Sequence, residues 1–211
     1  MSVSGRAGAS SAPTSVTKGG TSAGAAGGTS DGAAGGTSDE AAGGTSAGAA
    51  GGLVWEVVSP GSDAARRVLT EYFDDIVGRY WGRPALPGEV AAAMADEPSD
   101  DLQGATGLLV VASSAGVPVA CGGVRHAGDG VADLTRVYVA PSQRGRRLGG
   151  ELVGRLEVLA AAAGVRTLRL DVRADLTQAR SLYRRLGFVD VEPFSDARYA
   201  DHWMAKALAQ P

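Results

Sequence analysis

A run rich in glycine and arginine offers the clearest chemistry in this sequence, Arg144-Gly145-Arg146-Arg147-Leu148-Gly149-Gly150. It lies between a segment with the pattern of a strand, residues 132–139, and one with the pattern of a helix, residues 148–163. A turn from a strand into a helix directs several backbone N–H groups and the positive end of the helix dipole at one point. The run therefore predicts a phosphate-binding loop, to which the arginines add positive charge without a metal ion.

Composition and charge exclude several classes of protein. The chain has 211 residues, with 20 Lys and Arg against 23 Asp and Glu, whereas a general nucleic-acid binder shows a basic excess. Its single cysteine, Cys121, allows no disulfide framework and indicates a reducing compartment. No stretch approaches the roughly 18 apolar residues of a membrane helix, and the N-terminus lacks the apolar core of a secretory signal. We expect a cytoplasmic protein with neither nucleic acid nor membrane as a partner.

The first 52 residues differ in composition from the rest of the chain. Residues 19–50 consist of four copies of an eight-residue repeat, GGTSAGAA, GGTSDGAA, GGTSDEAA and GGTSAGAA. Such residues bury little apolar area, and glycine loses the most entropy on ordering. We expect residues 1–52 to form a disordered tail and residues 53–211 to form the folded domain. A tether, a partner-binding tail, a neutral repeat expansion and a start codon placed too early all remain open for this segment.

Hydrophobic periodicity predicts the element order β-α-α-β-β-β-α-β-α-β-β. Ser62 or Asp63 is expected to cap the first helix, whose apolar positions are Leu69, Tyr72, Phe73, Ile76 and Tyr80. A short helix is expected around residues 89–94, and Thr177 is expected to cap the last helix. The predicted strands are residues 53–58, 107–113, 117–125, 132–139, 167–172, 188–191 and 203–208. Since residues 107–139 form an antiparallel meander, the expected fold is α/β (α+β), with a mixed, mainly antiparallel central sheet and helices on both faces.

Three features together resemble the GNAT superfamily of acetyl-CoA-dependent N-acetyltransferases over residues 53–211. They are the strand DLTRVYVAP (residues 133–141) that enters the arginine-rich loop, the helix end ARSLYRRLGF (residues 179–188), and the element order. The loop itself resembles the family pattern Arg/Gln-x-x-Gly-x-Gly/Ala. The chain departs from the family at Arg147, where glycine is usual, and at Leu176, where asparagine is frequent.

The resemblance implies acetyl-CoA as cosubstrate, with no metal. It implies that backbone groups of Val137, Tyr138 and Val139 bind the pantetheine arm and polarise the thioester carbonyl. The pyrophosphate would bind to the loop residues Arg144, Gly145, Arg146, Arg147, Leu148, Gly149 and Gly150.

The resemblance also implies that Tyr183 is the general acid that protonates the departing thiolate. A tyrosine has a pKa of about 10 and a thiol one of about 8.5, so a neutral phenol can donate this proton. The alternative for Tyr183 is core packing. Asp133 and His202 are both candidates for the base that deprotonates the amine, and either one could instead be an ordinary solvated residue. Cys121 is expected to be a small buried apolar residue, because an acyl-cysteine route would need a paired histidine.

The leading hypothesis is an N-acetyltransferase that moves the acetyl group to a primary amine of a small molecule by direct attack. The first helix and residues 81–102 would line the amine pocket, because connecting segments carry specificity, and net acidity favours a cationic substrate. The alternative is a non-catalytic acyl-CoA sensor or interaction module with the same fold. A mononucleotide-binding protein is disfavoured, since the chain has neither a P-loop ending nor G-x-G-x-x-G. A homodimer is compatible with these hypotheses.

Overall fold

A computed structural model describes residues 52–196 and 199–209. Its strands are β1 Leu53–Val58, β2 Gly107–Ser114, β3 Val117–Gly128, β4 Val131–Val139, β5 Thr167–Val172, β6 Val189–Val191 and β7 His202–Ala207. Its helices are α1 Asp63–Trp81, α2 Pro87–Asp96, α3 Leu148–Ala162 and α4 Thr177–Arg185, with a 3-10 turn at Pro141–Gln143. This order is the predicted one. The predicted tail lies outside the described residues except for Gly52, and in the described part no helix has the length and apolarity to cross a bilayer.

The strands form one sheet of seven in the order β1-β2-β3-β4-β5-β7-β6. Neighbours run antiparallel, except for β4 and β5, which are parallel. The prediction of a mixed, mainly antiparallel sheet is therefore confirmed, as is the meander of β2, β3 and β4.

Two adjacent glycines in β3 show that protein covers both faces of the sheet. A Cβ atom built on Gly122 would lie 2.6 Å from Cδ1 of Leu156 in α3, and one built on Gly123 would lie 2.8 Å from Cδ1 of Leu102. Because successive residues of a strand point to opposite faces, α3 packs on one face, and the segment before β2 packs on the other with α1. Only glycine leaves room for both layers.

The helix ends follow the sequence in part. Ser62 caps α1, and its side chain accepts a hydrogen bond from the Ala65 N–H. The sequence had predicted either Ser62 or Asp63 as this cap. Tyr80 was predicted on the buried face but is half-exposed, because the last turn of α1 extends beyond the core. The cap prediction for Thr177 is wrong. Thr177 is already the first helical residue, Leu176 holds the cap position, and no side chain caps the helix.

A bulge in β4 separates it from β5. Arg136 has a left-handed φ of 55°, and Thr135 and Tyr138 pair with Gly123 and Cys121, so that two β4 residues stand opposite one residue of β3. The pairing of β4 with β5 covers only Val131–Asp133 and Thr167–Arg169. A bulge bends its strand and increases the local twist, so the two strands diverge beyond this point and leave a cleft between them.

Candidate active site

The cleft between the diverging strands has a volume of about 1400 Å³. It brings together most of the residues predicted from the sequence. The predicted residues that line it are Asp133, Val137, Tyr138, Val139, Arg144, Gly145, Arg147, Leu148, Gly149, Gly150 and Tyr183. Arg146 and His202 are not among the lining residues.

The loop between β4 and α3 leaves the N-terminus of α3 open to an anion. The N-cap of α3 is Arg147, whose guanidinium cannot accept a hydrogen bond, and no side chain caps the helix. The amides of the first turn, which include those of Leu148 and Gly149, therefore have no side-chain acceptor in the described structure. Gly149 also allows α3 to approach α4, because a Cβ atom there would lie 3.1 Å from Cδ2 of Leu182. A phosphate group fits this position.

The arginine side chains of this loop have different surroundings. Arg144 turns away from the helix end: its Nε donates to the Val139 carbonyl at 2.9 Å, and its guanidinium forms an ion pair with Asp75 of α1 at 3.0 Å. Arg146 donates to Gln143. Arg147 lines the cleft without an ion pair to any residue that the structure describes. Arg147 is therefore the loop cation available to a phosphate, and it has a glycine-like left-handed φ of 62° where the family usually has glycine.

Tyr183 lies on α4 with its ring buried against Phe188, at 5.7 Å between centroids. Its hydroxyl lines the cleft and makes no hydrogen bond to the described residues. Burial raises the pKa of Tyr183, so the phenol stays protonated at neutral pH. A neutral phenol O–H without a hydrogen-bond partner among the described residues can donate to a group bound in the cleft.

The two bases considered from the sequence are both poorly placed. Asp133 forms an ion pair with Arg169, its Oδ1 2.6 Å from Nε, which joins β4 to β5 where they diverge. His202 pairs with Val172 across β5 and β7. Residues directly opposite in a sheet share a face, so His202 lies on the other face from Asp171, the neighbour of Val172.

Asp171, which was missed in the sequence, is one of two carboxylates that line the cleft without an ion pair to a described residue; the other is Asp96, at the end of α2. Solvent reaches Asp171 through the cleft mouth, yet the surrounding protein partly desolvates it, and this burial raises its pKa, with the negative charges of Asp133 and Glu97 adding to the effect. Within the described ranges it has no ion pair or hydrogen bond. By contrast, an arginine pairs with each of the cleft carboxylates Asp75, Glu97, Asp101, Asp133 and Asp175. Apolar residues alternate along β5, with Leu168, Leu170 and Val172 on one face. This pattern puts Asp171 on the opposite face, and it is the sequence signal from which its position beside the cleft could have been predicted.

Comparison with known proteins agrees with this geometry. The sequence model of the family described as "Acetyltransferase (GNAT) family" matches residues 70–188, which include the loop, Asp171 and Tyr183. An "IAA acetyltransferase" of Azospirillum brasilense is 35% identical over 87 residues, 41% of this chain and 57% of that protein. An "Uncharacterized N-acetyltransferase" of Schizosaccharomyces pombe is 32% identical over 88 residues, 41% of this chain and 54% of that protein. The matched part thus spans little more than half the length of these curated relatives.

Two solved structures show the same fold. The PaiA N-acetyltransferase of Thermoplasma acidophilum, in complex with coenzyme A, has a TM-score of 0.60 at 17% identity over 74% of this chain and 99% of that one. The ribosomal-protein-S18-alanine N-acetyltransferase of Escherichia coli has a TM-score of 0.52 at 20% identity over 75% of this chain and 96% of that one. The fold of this chain is therefore similar to the folds of these two N-acetyltransferases.

Proposed function

The chain belongs to the GNAT acetyltransferase family and is an acyltransferase, and on that premise we propose that it transfers the acetyl group of acetyl-CoA to the primary amine of a small molecule. One observation carries the proposal. The cleft presents an unpaired carboxylate, Asp171, and an unpaired phenol, Tyr183, beside the open N-terminus of α3. Direct attack of an amine on a thioester needs one group that accepts a proton and one that donates a proton.

The residues of the loop and of β4 would hold the cosubstrate, which supplies an acetyl group as a thioester. The amides at the start of α3 and the guanidinium of Arg147 would bind its pyrophosphate. Beyond Asp133, β4 has no β5 partner, so backbone groups near Val137 are available to the pantetheine arm, whereas the Val139 carbonyl already accepts a hydrogen bond from Arg144. An N–H group aimed at the thioester carbonyl would stabilise the negative charge that develops on its oxygen.

The two free side chains would handle the protons. Asp171 takes a proton from the acceptor ammonium, directly or through a water molecule, and its raised pKa makes it a stronger base than an ordinary aspartate. The amine nitrogen then forms a bond to the acetyl carbon, and the carbon–sulfur bond breaks. The Tyr183 O–H supplies the proton that the departing sulfur needs. The newly bonded nitrogen then loses its second proton, which restores the Tyr183 hydroxyl through water, and Asp171 releases its proton to solvent. The products are an N-acetyl amine and a free thiol.

The acceptor side of the cleft carries negative charge, which supports a cationic amine. Ile76 and Arg79 of α1 line this side together with Asp96, the last residue of α2, and with Pro98 and Asp101 of the segment that follows. Arg125 neutralises Asp101, whereas Asp96, like Asp171, has no ion pair to any described residue. A protonated amine would gain electrostatic attraction in such a cleft.

The test is release of thiol from acetyl-CoA by the full-length protein with a panel of small primary amines, each product being identified by mass spectrometry. Asp171→Asn and Tyr183→Phe should each lower kcat by about 10²–10⁴-fold, the usual contribution of a general base or acid. Calorimetric affinity for acetyl-CoA should stay unchanged in both. Glu56→Gln, an exposed carboxyl change on the edge strand β1, is the control. Binding of acetyl-CoA without acetylation of any amine would contradict the proposal and support the non-catalytic sensor.

A further inference from the structure

Three aromatic side chains cluster beside the cleft, and one of them, Tyr199, lines it. Tyr80 and Trp81 end α1, and Tyr199 precedes β7; their exposed fractions are 50%, 54% and 43%. The Tyr80 ring lies edge-to-face with Trp81 at 5.0 Å and with Tyr199 at 5.5 Å between centroids. Single exposed aromatics are ordinary, but a contiguous group beside a cleft indicates a surface that contacts a ligand.

The end of β5 holds this cluster in place. The Asp201 carboxylate accepts a hydrogen bond from the Ala174 amide at 2.8 Å, which fixes the segment that carries Tyr199. Arg173 donates to the Ile76 carbonyl of α1 at 3.3 Å, and its guanidinium lies over the Tyr80 ring at 5.2 Å. The rings are therefore attached to the strand that carries Asp171.

The cluster continues into the cleft. Tyr199, Arg173 and Asp171 all line it. Arg173 is the first residue after β5 and follows Asp171 by two residues, so their Cα atoms are at most about 7 Å apart. Asp175 neutralises Arg173 through two hydrogen bonds of 2.9 Å. The aromatic cluster and the unpaired carboxylate of Asp171 therefore adjoin the same cleft.

This inference rests on the proposed function. We infer that the acceptor is an arylalkylamine, a small primary amine with an aromatic ring on a short alkyl chain, whose ring packs against Tyr80 and Tyr199 while its ammonium group faces Asp171. A planar ring matches the edge-to-face geometry that the tyrosines already adopt, and aromatic pairs gain stabilisation beyond that of buried area alone. A saturated ring of similar size would be stabilised only by the apolar area that it buries.

The experiment compares kcat/KM of the full-length protein for phenethylamine, cyclohexylethylamine, butylamine and a peptide with an N-terminal alanine. We expect phenethylamine to exceed butylamine by roughly tenfold or more, the scale of a buried ring and its aromatic pair, with cyclohexylethylamine between them. Tyr80→Ala and Tyr199→Ala should remove this preference, so that kcat/KM falls much more for phenethylamine than for butylamine, and the acetyl-CoA affinity should stay unchanged. Tyr80→Phe, which keeps the ring, should retain the preference. Val158→Ala removes an exposed apolar side chain from α3 and is the control.

Three outcomes would overturn the inference, and they separate it from the proposed function. Equal rates for phenethylamine and butylamine, or equal losses for both in Tyr80→Ala, would exclude recognition of the ring while acetyl transfer to amines stands. Acetylation of the peptide alone would assign the aromatic residues to a polypeptide acceptor. No acetylation of any of the four compounds, with acetyl-CoA still bound, would refute the proposed function itself.

Discussion

Replacing Arg147 by glycine should stabilise the protein and weaken its binding of acetyl-CoA. Arg147 has a φ of 62° and a ψ of 6°, and a left-handed conformation costs a residue with a side chain about 1–2 kcal/mol. Glycine removes this cost, but its greater chain entropy in the unfolded state lowers the stability of the fold by about 0.5–1 kcal/mol. The net gain of about 0.5–1 kcal/mol corresponds to a rise of about 1–4 °C in Tm for a domain of this size.

Arg147→Ala is the matched control, because alanine loses the same charge and keeps the unfavourable φ. Thermal melts should therefore place Arg147→Gly above Arg147→Ala, whereas calorimetry should show the same loss of acetyl-CoA affinity in both, about two- to fivefold for one partly exposed ion contact. Equal melting temperatures for the two variants would refute the left-handed conformation. Unchanged affinity in both would refute the phosphate contact.

Three further predictions test packing and ionisation. Gly107→Ala should lower the free energy of unfolding by about 2–3 kcal/mol or more in denaturant titrations, because its Cβ atom would lie 2.4 Å from the Val124 carbonyl oxygen. The control is Gly88→Ala, which should not destabilise the protein, because nothing lies within 4 Å of its Cβ position. Equal losses of unfolding free energy in the two variants would contradict the packing around Gly107. Cys121, fully buried and with a thiol pKa that burial raises, should resist an aromatic disulfide reagent until the protein is denatured, so rapid labelling of the native protein would contradict its burial. Because the pKa of Asp171 is raised in the folded protein, the folded protein binds this proton more tightly than the unfolded chain does. The free energy of unfolding therefore falls as the pH rises above the ordinary aspartate pKa, and it recovers as the pH falls through the raised pKa. Asp171→Asn should accordingly raise the melting temperature at neutral pH and remove this part of its pH dependence, and a lower melting temperature would contradict the desolvation of Asp171.

The element order and the sheet could be predicted because local signals agree with the tertiary structure. Leu152 and Leu156 keep helical spacing and are fully buried, and the meander has a tight turn between each pair of strands. The bulge in β4 could not be predicted. Arg136 has no local preference for a left-handed φ, and its conformation depends on distant contacts, with Glu97 at 3.0 Å and with the rings of Tyr72 and Phe73.

The candidate site was predictable as a loop but not as a set of side-chain directions. Sequence spacing places Arg144 beside the phosphate position, yet its guanidinium pairs with Asp75, which lies on α1, far away along the chain. Asp133 is paired and Asp171 is free for the same reason: which carboxylate finds an arginine depends on the register of β4 and β5. Only the three-dimensional arrangement shows this.

The most direct test of the account is calorimetric titration of acetyl-CoA into Gly145→Asp and Gly145→Asn. Gly145 lines the cleft, has a φ of 81°, and has nothing within 4 Å of its Cβ position. Aspartate and asparagine tolerate this conformation alike and differ in one negative charge. If the loop binds the pyrophosphate, the aspartate variant should bind acetyl-CoA at least roughly tenfold more weakly than the asparagine variant, the effect of about 1.4 kcal/mol of charge repulsion. Equal affinities in the two variants would show that the phosphates bind elsewhere and would contradict the cofactor site on which the proposed function depends.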